Sequence, residues 1–245
     1  MQSIWNFREL AKEYTNRHGK KIKPQRIFRS GSLNYATEDD IDKLKQLGIK
    51  RIYDLRSQKE IRQGQEHHTI EIISYDVGNT ESATPMDHNF FVKVAKSGAR
   101  HFMHYLYGEH LPHSPMIKPL MHAIIEETEP FLFHCAAGKD RTGVIAALLM
   151  HVLGFTEDQI ISEYIQLDNR ILPYGRASLE KDPSLTTKQI EQLDPLHIVE
   201  SSYIKAFIQA IKSEYQSLDY YIHHVLDITQ NQIEQFIQRY MTEMS

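Results

Sequence analysis

Residues Pro130 to Gly143 read Pro-Phe-Leu-Phe-His-Cys-Ala-Ala-Gly-Lys-Asp-Arg-Thr-Gly, and they constrain the chain more tightly than any other stretch. Phe131-Leu132-Phe133 is an apolar run of strand length. Val144 to Met150 is apolar at helical spacing. The segment therefore predicts strand, tight loop and helix, with the loop at the helix N-terminus. Such a junction attracts anions, because loop and first-turn N–H groups have no intrahelical partner and the helix dipole adds positive charge. Arg141 supplies a planar fork that holds two phosphate oxygens at once. Cys135 is the one cysteine of the chain, and facing such a site it is expected to react as its thiolate. A thiolate facing a bound phosphate is placed for in-line attack on phosphorus.

His134-Cys135-x5-Arg141-Thr142-Gly143 resembles the phosphate-binding loop of the cysteine-dependent tyrosine phosphatases. The inner Ala137-Gly138-Lys139-Asp140 is similar to the microbial branch with an HCxxGKDR loop, some members of which also act on phosphoserine, phosphothreonine and phosphoinositides. The resemblance implies a phosphomonoester hydrolase that works through a phosphocysteine intermediate, with no metal or cofactor. A phosphotyrosine protein phosphatase with dual specificity is the leading expectation, and a phosphoinositide phosphatase the alternative. Cys135 is then the nucleophile, and Arg141 holds the transferring group. Ala136, Ala137, Gly138, Lys139 and Thr142 line the substrate site. His134 tunes the cysteine. Thr142 is read as a hydrogen-bond partner of the thiolate. Lys139 is read as a second cation on the rim, suited to substrates with several phosphates.

The general acid is less determined. The sole tryptophan is Trp5, so the Trp-Pro-Asp loop of many relatives is absent, and the candidates are Asp140, Asp76 and Asp87, with Asp140 favoured. The resemblance extends to an Asn6-Phe7-Arg8-Glu9-Leu10 opening, to Arg29-Ser30-Gly31 and to Asp54-Leu55-Arg56-Ser57-x-x-Glu60. It implies an edge hairpin, Arg8 and Arg29 paired to carboxylates, and Asp54 and Arg56 bracing the loop. A sulfurtransferase and a catalytically dead phosphate-binding module are the rival classes. A thiosulfate assay separates the first. Turnover abolished by Cys135→Ser excludes the second.

The chain has 245 residues, 41% hydrophobic and 24% charged. That suffices for one phosphatase domain over residues 1–245, with about 195–245 as a helical extension packed on it. A net charge of −4 gives no general attraction to nucleic acid or anionic membrane. No run reaches transmembrane length. One cysteine allows no internal disulfide, and a thiolate nucleophile suits a reducing compartment, so a cytoplasmic monomer acting on phosphoprotein or phosphoinositide is expected.

Strands alternating with helices predict an α/β fold with a central, mostly parallel sheet flanked by helices, its ligand crevice at the strands' C-terminal ends. Thr37 to Gly48 reads as a capped helix, followed by strands at Ile49–Leu55 and Thr69–Tyr75. Ser57-x-x-Glu60 reads as a capping box. One helix is expected over Asp87–Tyr107, another from a Ser114 cap, and a third behind the Thr156-x-x-Gln159 box. Residues 171–194, with Pro173, Gly175 and Pro183, read as a loop of the length that often forms a lid. His67-His68, His101/His104, His110/His113 and His223-His224 lack the further ligands of a metal site and read as surface or interfacial side chains.

Overall fold

The computed structural model describes residues 1, 3–58, 60–61, 70–78 and 88–242. Its centre is a sheet of strands β1 (Arg8–Glu9), β2 (Ile27–Ser30), β3 (Arg51–Asp54), β4 (Glu71–Ser74) and β5 (Phe131–His134), in the order β1-β2-β5-β3-β4. The hairpin β1–β2 is antiparallel; the other pairings are parallel. Side chains alternate across a strand, and the inner strands are buried on both faces as parallel strands require. Phe131 and Phe133 enter one apolar cluster, while Leu132 enters the other with Phe28 and Ile52.

Helix α1 (Glu38–Gln46) covers the second cluster with Ile41 and Leu44. Its start is the expected one, since Thr37 and Asp40 close a reciprocal capping box. Helices α2 (His88–Ser97) and α3 (Ala99–Tyr105) follow, then a π turn at Leu106–His110 and a 3₁₀ turn at Leu111–His113. The helix expected over Asp87–Tyr107 is thus broken. Gly98 takes φ +97° between the two pieces, a conformation natural only to glycine. Helix α4 (Ile117–Glu126) begins later than expected: Met116 stands at its N-cap, while Ser114 closes the preceding 3₁₀ turn and its hydroxyl donates to the Val77 carbonyl.

Helix α5 (Asp140–Val152) runs from the loop after β5 and is buried almost throughout. Next come α6 (Glu157–Tyr164), α7 (Ile171–Leu179), α8 (Thr187–Gln192), α9 (Ser201–Tyr215), α10 (Leu218–Tyr220) and α11 (Gln230–Tyr240). Residues 171–194 are therefore largely helical, not the loop expected. Pro173 sits in the first turn of α7, where its missing N–H costs nothing, and at Gly175 a Cβ would collide with the His197 ring. The Thr186-x-x-Gln189 box that opens α8 repeats the pattern that opens α6. From the C-terminal helices, Phe207, Ile211, Phe236 and Tyr240 join the same cluster as Phe131, Phe133 and the apolar face of α5.

Candidate active site

The parallel register aligns Ser30, His134, Asp54 and Ser74 at one level of the sheet. The loops that leave these four strand ends converge. Leu55 N donates to the His134 carbonyl and Tyr75 N to the Asp54 carbonyl, so the pairing continues one residue past the strands. Ser32 N then donates to the Ala136 carbonyl at 2.8 Å. The Cys135 loop is thus tied to its neighbour before it turns into α5.

The turn is made at Gly138. Its φ of +67° and the absence of a Cβ, which would collide with the Ser30 carbonyl, both require glycine. Two side chains hold its carbonyl from behind: Arg29 Nη2 at 3.0 Å and Asn6 Nδ2 at 2.9 Å. Arg29 is fully buried. Burial, then the charge of Arg8, lowers its pKa to about 9, with Glu163 opposing. Glu163, also buried, accepts from Arg8 Nε at 2.8 Å and meets Arg29 Nη1 at 3.5 Å. The carboxylate expected for both arginines is therefore one and the same residue. Glu9, in the family-like opening, instead accepts from Gln25 N and pairs with Lys12. Behind the loop, Gly143 lies against Tyr164, where a Cβ would fall 2.8 Å from the ring.

Cys135 is 2% exposed, at the sheet end of this turn. Arg141 lies in the first turn of α5 and meets Glu60 twice, Nη1 to Oε2 and Nη2 to Oε1, each at 2.6 Å. Nη1 also donates to the Leu55 carbonyl at 3.3 Å. Glu60 takes one N–H from each terminal nitrogen, and among the described residues the Nε–H and the second N–H of Nη2, side by side on the Nε–Nη2 edge, meet no further acceptor. That edge is the two-donor fork a phosphoryl group needs. Burial pushes the Arg141 pKa down, but the Glu60 bond and the negative charges of Cys135, Glu60 and Asp140 outweigh it and raise it. Burial likewise pushes Glu60 up, and the bond to Arg141 outweighs it, leaving Glu60 at about 2. Ser57 N and Oγ also donate to Glu60, but Glu60 N donates to the Ser57 carbonyl and not to its hydroxyl, so only half of the expected box forms, and no helix follows it among the described residues. The main partner of Glu60 is Arg141, and that role is absent from the capping-box reading.

Asp54 and Arg56, expected to brace the loop, pair with each other. Arg56 grips Asp54 through Nε and Nη2 and reaches Ser32 and Asn34 through Nη1. Asp54 lies 3.8 Å from His134 Nε2. Burial lowers the His134 pKa more than Asp54 raises it, so His134 is neutral near pH 7, with Nδ1 3.2 Å from the Cys135 carbonyl.

Three expectations fare differently. Lys139 does not stand on the rim: its side chain is 1% exposed, with Nζ on the Ile198 carbonyl at 2.9 Å and on Asp140 Oδ1 at 3.1 Å. A cation is kept inside only when its charge is met there, and both partners lie within reach. Thr142 Oγ1 is buried and has no hydrogen-bond partner among the described residues, so the bond expected to the cysteine sulfur is not formed. Asp140, the first residue of α5, accepts from Tyr107 Oη at 2.7 Å. Of the other acid candidates, Asp76 and Arg141 both border Gly78, 3.9 and 3.4 Å from the point where a Cβ would stand. Asp87 lies outside the described residues, as do His67 and His68. Among the described residues no three His, Cys, Asp or Glu side chains gather as metal ligands would, and no helix is long and apolar enough to cross a membrane.

A cysteine and an arginine on one strand–loop–helix turn, at the C-terminal edge of a parallel sheet, form the candidate site, in the arrangement expected of a cysteine-dependent phosphatase. The model of the tyrosine phosphatase family matches residues 1–242, and the chain belongs to that family. It is 26% identical over 259 residues to the triple specificity protein phosphatase PtpB of Mycobacterium tuberculosis, covering 91% of each chain. It is 30% identical over 141 residues to a tyrosine-protein phosphatase of Nostoc commune, covering 56% of this chain and 47% of that one. Among solved structures, the catalytic core of the yeast PP-IP phosphatase Siw14 matches 80% of this chain and 92% of its own at 14% identity, with a TM-score of 0.34.

Proposed function

We propose that this protein hydrolyses phosphotyrosine in proteins by a two-step exchange at Cys135. The Cys135 sulfur attacks phosphorus, the S–P bond forms, and the P–O bond to the phenol breaks. Asp140 gives its proton to the departing oxygen. A water oxygen then attacks phosphorus, Asp140 takes the water's proton, and the S–P bond breaks to release phosphate. The Nε–Nη2 edge of Arg141 and the loop N–H groups hold the non-bridging oxygens and stabilise the charge that develops on them. The site residues Ala136, Ala137 and Gly138 contribute through main chain, because their carbonyls are engaged behind the loop. Lys139 acts by holding Asp140, and His134 by shaping the turn.

The carrying observation is the fork of Arg141, aimed by Glu60 on the same turn as a nearly buried Cys135. The depth of the sulfur favours a phosphate carried on a long flat arm, as in a phenol ester, over the shorter alkyl esters. Lys139, turned inward, gives no support to a substrate with several phosphates. The protein acts as one catalytic unit in a reducing compartment, where a lone thiol stays reduced.

The test is kcat/KM on a phosphotyrosine peptide, a phosphoserine peptide and a short-chain phosphoinositide, with Cys135→Ser alongside. The phosphotyrosine peptide is expected to be turned over fastest, and all turnover to vanish in Cys135→Ser. Preference for the phosphoinositide would move the substrate class to lipids. Turnover that survives Cys135→Ser would overturn the mechanism.

A further inference from the structure

Asp140 is not a free carboxyl at the mouth of the site. Its Oδ1 accepts from Tyr107 Oη at 2.7 Å and lies 3.1 Å from Lys139 Nζ. Tyr107 Oη is in turn 2.7 Å from Tyr164 Oη. A phenol has one proton to give. With the Tyr107 proton on Asp140, the Tyr164 proton must lie on Tyr107, so the chain is directional: Tyr164 to Tyr107 to Asp140. Both rings are nearly buried and belong to the main apolar cluster. Burial, the negative charge of Asp140 next, raises both phenol pKa values, so both stay protonated donors throughout the working range. Tyr107 stands in the π turn Leu106–His110. Such turns recur at functional sites because the extra residue re-aims the side chains around it. Tyr164 packs on Gly143 of α5, so the relay is seated on the same helix that carries Arg141 and Asp140. Among the described residues, Oδ2 of Asp140 meets no protein donor.

We propose that Tyr107, backed by Tyr164, is a positioning residue for Asp140: it fixes Oδ1 and leaves Oδ2 as the oxygen that exchanges protons with the leaving group and the attacking water. This rests on the proposed acid role of Asp140. A buried hydroxyl also needs a partner for stability alone, and the two roles differ in one readout. In the first step, which kcat/KM reports, a positioned acid matters when the leaving oxygen needs a proton and is idle when it does not; its part in the hydrolysis step is common to both substrates and falls on kcat.

The experiment uses the full chain with Tyr107→Phe, Tyr164→Phe and Asp140→Asn. For each, kcat/KM is measured on a phosphotyrosine peptide and on 2,4-dinitrophenyl phosphate, whose leaving group departs unprotonated. KM and kcat are separated, and the inhibition constant of inorganic phosphate reports on the loop. Asp140→Asn is expected to lose about 10²–10⁴-fold on the peptide and within about twofold on the dinitrophenyl ester. Tyr107→Phe should show the same selectivity at about 5–30-fold, a fraction of the whole acid effect. Its KM and phosphate inhibition should stay unchanged. Tyr164→Phe should follow in the same sense with a smaller loss, and it keeps the test decisive if Tyr107→Phe folds poorly. Equal losses on both substrates, or none on either, in the two tyrosine variants would overturn the inference while a selective Asp140→Asn left the acid role standing. An unselective Asp140→Asn would overturn both.

Discussion

Two glutamates grip arginines on opposite sides of the same loop, and they serve different ends. Glu163 lies behind it, 3% exposed, between Arg8 and the fully buried Arg29. Glu60 lies in front, 34% exposed, on Arg141. Arg29 spends Nη2 on the Gly138 carbonyl and Nη1 on Glu163, so it faces the protein. Arg141 spends one N–H of each terminal nitrogen on Glu60, and among the described residues its Nε meets no acceptor. The same pair of side chains therefore makes a brace where both groups face the interior and, on the proposed reading of the site, an aiming device where part of the guanidinium remains for a ligand.

The contrast can be broken from either side. Removing the charge behind the loop should be the costliest change. Glu163→Ala leaves Arg29 buried without its counter-charge and should lower unfolding stability by about 3–5 kcal/mol, as loss of one partner of a buried pair does. Urea unfolding reads the loss, and KM of the folded fraction should change little. Arg141→Lys comes next. It keeps the charge and loses the fork, so kcat should fall roughly 10²–10³-fold, the scale for deleting one preorganised donor, with stability nearly intact. A fall confined to KM would make Arg141 a binding group only.

Glu60→Gln should cost kcat/KM about tenfold through a less well aimed guanidinium, well within what sub-ångström misplacement can do. If activity is unchanged, Glu60 is a brace like Glu163 and the contrast fails. The smallest effect is on acid stability. Glu60 falls from its ordinary 4.5 to about 2 in the folded chain. A depressed carboxylate stabilises the fold above its unfolded pKa and loses that contribution as pH falls through the folded one. The stability gap between the native chain and Glu60→Gln should therefore be constant above about pH 5 and close between about 4.5 and 2. Solvent exposure keeps it below about 1 kcal/mol.

Much of the candidate site was legible in residues 134–143, because cysteine, turn glycine and arginine are local and one helical turn sets their geometry. Asp54 and Arg56 were legible as residues beside the loop, and so was the edge hairpin. Glu60 was visible as a residue but not in its role, since Ser57-x-x-Glu60 satisfies a capping pattern and does bond Ser57. The contacts of Asn6, Glu163 and Tyr107 carried no signal in sequence, for each residue lies some 33 to 134 residues from the partner it touches. Residues 171–194 were misread because Pro173 and Gly175 count as breakers when their neighbours are unknown. The Thr186-x-x-Gln189 box was there to be read, as its twin at Thr156 was.

By itself the sequence determined the strand–loop–helix turn, the mostly parallel sheet and the placement of Cys135 and Arg141 together on that turn. These follow from period and turn chemistry, which act over a few residues. Only the tertiary structure decided which way each polar side chain of the loop turns. Lys139 went inward to Ile198 and Asp140, Arg141 turned to Glu60, and Asp140 was claimed by a tyrosine from a distant π turn. A buried charge or hydroxyl must find its partner wherever packing brings one within about 3 Å, and no local pattern encodes where that is.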